Sequence, residues 1–184
     1  TTDSSRTPHR VLVTDPRLRL ERLLAHLDEV DGDALYLGEY RVMTTSGSSG
    51  RKAVFLYDRA AWVGILAMFL RRSEWVGLRP GMPRTRVALV AGGAPTHMSR
   101  RGASTLDVGV HRILSLSATQ PVPELVDCLN EFQPDFLNVY PSIGGLLADE
   151  QLAGRLRVGI RGMTANSEPL TDSLRARLER AFGV

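Results

Sequence analysis

Apolar side chains change their spacing several times along the chain, and each change predicts a different element. Leu20, Leu23, Leu24 and Leu27 recur at helical spacing behind Asp15-Pro16. An aspartate can accept amide hydrogen bonds at an N-cap and proline fits the first helical position, so a helix is predicted from there to about Leu27. The stretch "DGDALYLGEYRVMTT" predicts two short strands around Gly38-Glu39, and "AVFLY" predicts another. Asp58 is placed to cap a helix running to about Trp75. Its Trp62, Ile65, Leu66 and Phe69 make an apolar stripe suited to a core or to a subunit interface, and homodimerisation through this helix is one expectation.

Beyond Arg86 the pattern becomes repetitive. "RVALVA", "HRILSLS", "PDFLNVY" and "LRVGIRG" are short apolar runs that predict strands. Segments that can be helical lie between and after them, at roughly 96–106, 121–132, 142–153 and 171–182. Thr171 is placed as an N-cap of the last helix and Gly183 as its stop. Strands alternating with helices of this length predict an α/β fold with a mostly parallel sheet and crossover helices, preceded by a hairpin-rich segment. The change falls near residue 80, at "LRPGMPRT", and no internal repeat or low-complexity segment is present. Residues 1–10 are polar and are expected to be disordered.

Composition narrows the function classes. The chain has 184 residues, 43% of them hydrophobic, enough for one compact core. All but one of its 23 basic residues are arginine, and the formal charge is only +3. Arg71-Arg72 and Arg100-Arg101 are short and lack aromatic interleaving, so they read as solvated faces and nucleic acid is not an expected partner. The single cysteine, Cys128, precludes an internal disulfide and suits a reducing, cytoplasmic setting. The longest apolar run, Ala60 to Leu70, is too short to span a membrane, and the polar N-terminus has no signal-peptide core. His9, His26 and His111 are scattered and the carboxylates show no ligand spacing, so no structural metal is expected.

The stretch with the densest candidate chemistry is Ser46-Gly47-Ser48-Ser49-Gly50, followed by Arg51 and the lone lysine, Lys52. Glycines let successive amides point into one concavity that holds anions, and the serines add hydroxyl donors. The P-loop NTPase spacing does not fit, because Ala53 follows Lys52 and a strand is expected next. Two readings remain on these residues alone: a mobile Gly/Ser-rich hairpin, or a phosphate cradle. In open parallel sheets ligands sit beyond the carboxyl ends of the strands, which draws attention to "GGAPTH", "YPS" and "MTANSEP".

"TTSGSSGRK" resembles the phosphate-loop signature of the adenylate-forming superfamily: acyl-CoA synthetases, luciferases and adenylation domains. Arg51 stands at the signature's first lysine, Lys52 at its proline and Ala53 at its second lysine, a departure familiar in the phenylacetate–CoA ligase branch. "FQPDFLNVYPSIGGLLA" resembles the family's strand–helix unit, with Tyr140 in place of a threonine, and "LRVGIRGMTANSEPLTDSLRARLERAFGV" resembles its strand, Gly-x-Glu-Pro and helix. The three occur in family order.

The resemblance implies ATP-dependent activation of a small-molecule carboxylic acid, then transfer to the thiol of CoA or of a carrier protein, with Mg²⁺ arriving with ATP. It places Thr45, Ser46, Gly47, Ser48, Ser49, Gly50, Arg51 and Lys52 on the ATP phosphates, and Ser167, Glu168 and Pro169 along the adenine. His97 and Tyr140 would line the acyl pocket, against the alternatives of a surface histidine and a core tyrosine. The family's Tyr-Gly-x-Thr-Glu, ribose-binding aspartate and C-terminal domain with its catalytic lysine are not in the sequence. Residues 1–184 are therefore expected to be part of the large N-terminal domain, with no catalytic residue assigned. The alternative is a non-catalytic α/β module that binds a nucleotide or a protein.

Overall fold

The computed structural model describes residues 15–30, 33–44, 53–75, 77–78, 84–92 and 111–184. The first helix, α1, spans Leu20–Glu29 and starts later than Asp15-Pro16 predicts. Asp15 is occupied otherwise: its carboxylate accepts from the Arg17 N–H at 2.9 Å and the Tyr40 hydroxyl at 3.1 Å, closing a turn instead of capping a helix. Tyr36 and Tyr40 form one antiparallel bridge around Leu37 and Gly38, both at positive φ, so the expected strand before Gly38 shrinks to a single residue. β1 (Arg41–Thr44) and β2 (Val54–Tyr57) then pair antiparallel, from Arg41 opposite Tyr57 to Thr44 opposite Val54. Val42 packs with Leu18 and Leu23 of the first segment into a small core under this hairpin.

Asp58 caps α2 (Arg59–Trp75), as expected, accepting the Ala61 N–H at 2.7 Å. Trp62 is buried beneath the Arg41 guanidinium, 5.1 Å from the ring, and edge-on to Tyr57. These contacts fasten the helix to the hairpin. Farther along, Val63, Met68, Leu70 and Trp75 stay exposed.

The second half carries the parallel sheet. β3 (Arg86–Ala91), β4 (Arg112–Ser117), β5 (Phe136–Val139) and β6 (Gly162–Ala165) lie in the order β4-β3-β5-β6, every neighbour parallel. The central position of β3 and β5 explains their nearly continuous apolar sequence. Edge strand β4 instead exposes Arg112 and Ser115. Among the described residues, α3 (Val122–Phe132), α4 (Pro141–Leu152) and α5 (Asp172–Phe182) accompany these strands. Leu125 and Leu129 of α3, Leu137 of β5, Leu147 of α4 and Leu156 share one core, each at most 1% exposed. Burying each such leucine stabilises the fold by about 1.5–3 kcal/mol.

Three details fix the sheet's position. At its amino edge Asp135 joins three strands: its N–H donates to the Arg86 carbonyl, its carbonyl accepts the Arg161 N–H, and its carboxylate accepts the Arg86 N–H at 2.8 Å. α5 approaches α4 so closely that a Cβ on Gly145 would stand 2.9 Å from the Arg177 guanidinium, and one on Gly144 3.3 Å from Leu178. Thr171 caps α5 through the Leu174 N–H, and Gly183 ends it at φ +72.

One predicted strand is corrected. "LRVGIRG" is not paired into the sheet, and the last strand begins at Gly162. Leu156, Val158 and Ile160 do alternate into the core, but the backbone of Arg155, Arg157 and Val158 meets side-chain amides instead of a neighbouring strand. Gln151 donates to the Val158 carbonyl at 3.0 Å and accepts its N–H at 3.3 Å. Asn130 brackets Arg155 and Arg157 in the same way, and Gln133 adds a bond to the Arg157 carbonyl. An amide side chain presents both donor and acceptor groups, as a peptide group does, and so replaces a ladder partner.

Candidate functional site at the carboxyl edge of the sheet

β4 lies on the outer side of β3, and β6 on the outer side of β5. The strand order therefore reverses between β3 and β5, and the crevice beyond their carboxyl ends is the place where open α/β sheets bind ligands. Gly92 leaves β3 there and Tyr140 leaves β5. The Gly92 N–H donates to the Tyr140 hydroxyl at 2.9 Å, so the phenol bridges the two strand ends. Pro141 then opens α4, whose first-turn amides face the same edge.

The turn after β6 closes on this point. The Asn166 N–H donates to the Val139 carbonyl at 3.3 Å, and its side-chain amide to Asn138 Oδ1 at 3.0 Å. Ser167 adopts φ 68, a left-handed conformation uncommon for a residue with a side chain. Its hydroxyl donates to Asn166 Oδ1 at 3.1 Å. Glu168 reaches the start of α4, where Oε2 accepts the Ser142 N–H at 2.8 Å and Oε1 the Ser142 hydroxyl at 3.0 Å. A carboxylate at a helix N-terminus is doubly favoured, by the free amides and by the helix dipole.

The structure thus brings Tyr140 and the Ser167-Glu168-Pro169 turn to one edge. The Glu168 carboxylate is already engaged by Ser142, and Ser167, Glu168 and Pro169 are exposed. His97 and the Thr45–Lys52 stretch lie outside the described residues. Of the described residues that flank the latter, Thr44 stands opposite Val54 in the hairpin. Asn138 is a part of this edge that motif reading missed, whereas Gly92, Ser142 and Asn166 lie in the loops it singled out. The half-buried Asn138 within the apolar "FLNV" was the available signal. Among the described residues no group of three or more His, Cys, Asp or Glu is placed to hold a metal ion, and no helix is long and apolar enough to cross a membrane.

No protein-family model matches the chain. It is 32% identical over 158 residues to the phenylacetate-coenzyme A ligase of Pseudomonas putida, across 78% of this chain and 33% of that protein. The chain belongs to the adenylate-forming superfamily. Solved structures agree on the fold of this superfamily member. An open conformation of 2-hydroxyisobutyryl-CoA ligase, in complex with 2-HIB-AMP and CoA, superposes with a TM-score of 0.63 at 24% identity, over 82% of this chain and 35% of that one. The luciferase-like enzyme of the mealworm Zophobas morio gives a TM-score of 0.53 at 14% identity, over 84% and 33%. The chain spans about a third of the length of these relatives.

Proposed function

We propose that the chain serves an acid–thiol ligase of the phenylacetate–CoA ligase-like branch, as part of its large N-terminal domain. The carrying observation is the 32% identity to a CoA ligase. The convergence of Gly92, Tyr140, Ser142 and Glu168 on the switch-point crevice supports it. In the first step a carboxylate oxygen of the acid forms a bond to the α-phosphorus of ATP, and pyrophosphate leaves. In the second, a thiolate sulfur attacks the acyl carbon and AMP leaves.

The first barrier is electrostatic, because an anion approaches a polyanion, and positioned donors lower it. Thr45, Ser46, Gly47, Ser48, Ser49, Gly50, Arg51 and Lys52 supply these donors in this reading, with hydroxyls that can turn as charge moves onto pyrophosphate. The Ser167–Pro169 turn lies along the adenine through its main chain, since the Glu168 carboxylate is turned to Ser142. Tyr140 and His97 line the acid pocket. Mg²⁺ enters in this reading as the ion carried by ATP. A cytoplasmic setting and pairing of two copies through the exposed apolar side chains of α2 belong to the same proposal.

The test is ATP–pyrophosphate exchange in the full-length gene product with a panel of aryl and aliphatic acids. Ser48→Ala combined with Ser49→Ala lowers the exchange rate about a hundredfold, as expected for removal of transition-state donors. Exchange at the unmodified rate would reject the phosphate-loop assignment.

A further inference from the structure

Glu168 commits both carboxylate oxygens to one residue, Ser142, 26 positions earlier in the chain. On its other side the turn is fixed to β5 through Asn166, by one backbone and one side-chain bond. Between these anchors Ser167 is held at φ 68, a conformation that a non-glycine residue keeps only when its surroundings impose it. We propose that Glu168 is a positioning residue. Its paired bonds to Ser142 latch the turn after β6 onto the amino end of α4, and so present the main chain of 166–168 as the surface on which the nucleotide base rests. This role rests on the ligase reading above, but the ligand it affects is specific: the latch acts on the base and leaves the phosphate side alone.

The chemistry of the pair predicts an ordering of variants. Glu168→Ala removes both bonds. Ser142→Ala removes the hydroxyl bond and keeps the N–H bond. Glu168→Gln can still accept from the Ser142 N–H and donate to its Oγ, so it restores the geometry without the charge. Calorimetry on the full-length gene product uses AMP and inorganic pyrophosphate as separate probes. Glu168→Ala weakens AMP binding about fivefold and Ser142→Ala about twofold, the size expected of hydrogen bonds at an exposed helix start. The double variant is no weaker than Glu168→Ala, Glu168→Gln recovers most of the loss, and pyrophosphate affinity is unchanged throughout. Equal losses for both probes would overturn the role, because a general structural defect spares neither. A silent Ser142→Ala beside a Glu168→Gln as weak as Glu168→Ala would also overturn it, since the carboxylate would then touch the nucleotide itself. If the unmodified protein binds neither probe, the ligase reading fails and takes the role with it. Unaltered AMP binding in Glu168→Ala removes the role alone.

Discussion

Gln151 offers a sharp test of how the segment before β6 is held. Its side-chain amide is bonded to both the N–H and the carbonyl of Val158, a residue only 5% exposed. Gln151→Leu keeps the bulk and removes both partners. Each backbone group left without its partner then costs about 1 kcal/mol, the low end of the range for a buried donor or acceptor. The total is about 2 kcal/mol, a sizeable share of the 5–15 kcal/mol typical of a domain. With a urea dependence of about 2 kcal/mol/M, the unfolding midpoint falls by about 1 M. The Val158 amide also exchanges with solvent faster in the native state. Gln151→Glu is the discriminating control: at neutral pH it can accept the Val158 N–H but repels the carbonyl, and protonation restores a donor. Its deficit therefore shrinks as pH falls through the carboxylate range. A Gln151→Leu midpoint within about 0.2 M of the unmodified protein, with unchanged exchange at Val158, would refute the argument that an amide replaces a strand here.

Gly162→Ala places a Cβ 2.6 Å from Cε1 of Phe136, whose ring is buried and lies under Arg161. Overpacking of about 1–3 kcal/mol outweighs the 0.5–1 kcal/mol gained by leaving glycine. Thermal unfolding should drop by about 3 °C, and a raised Tm contradicts the packing. Asp15 is held down from 3.8 to about 2 by its bonds to the Arg17 side chain and N–H. Its folded value is depressed, so its stabilising share is present above pH 3.8 and disappears as pH falls through about 2. Arg17→Ala returns the Asp15 titration toward 3.8 when followed by carboxyl-carbon NMR, and an unmoved titration rules out the pairing.

Where local chemistry decides the structure, the sequence announces it. Asp58 and Thr171 cap helices because the hydroxyl or carboxylate and the amide it serves are three residues apart. Gly183 ends α5 because it enters the left-handed region without a steric penalty. The helix expected at 96–106 lies outside the described residues, while β3, β4 and β5 were legible as apolar runs. The misplaced strand was not. Leu156, Val158 and Ile160 alternate as a strand would, but what decides their pairing is Gln151, Asn130 and Gln133, whose service to this backbone no period records. Asp15 likewise serves Arg17 and Tyr40, the latter 25 residues away, and so starts no helix. The site divides along the same line. The carboxyl-end loops follow from topology, and "YPS" and "NSEP" stood out as loop sequences. That Ser142 and Glu168 meet follows only once β5 and β6 are neighbours.

Asp135 gives the sheet a fixed hem. Its backbone and carboxylate tie together the starts of β3, β5 and β6, with the Arg86 and Arg161 guanidinium groups 3.8 and 3.7 Å from the carboxylate. Tyr140 leaves the sheet only five positions later, one short strand away. The lips of the crevice consequently share a single datum at the far side of the molecule. Gly92, Tyr140 and the Asn166 turn stand at the opposite ends of the same three strands whose starts this one aspartate holds together.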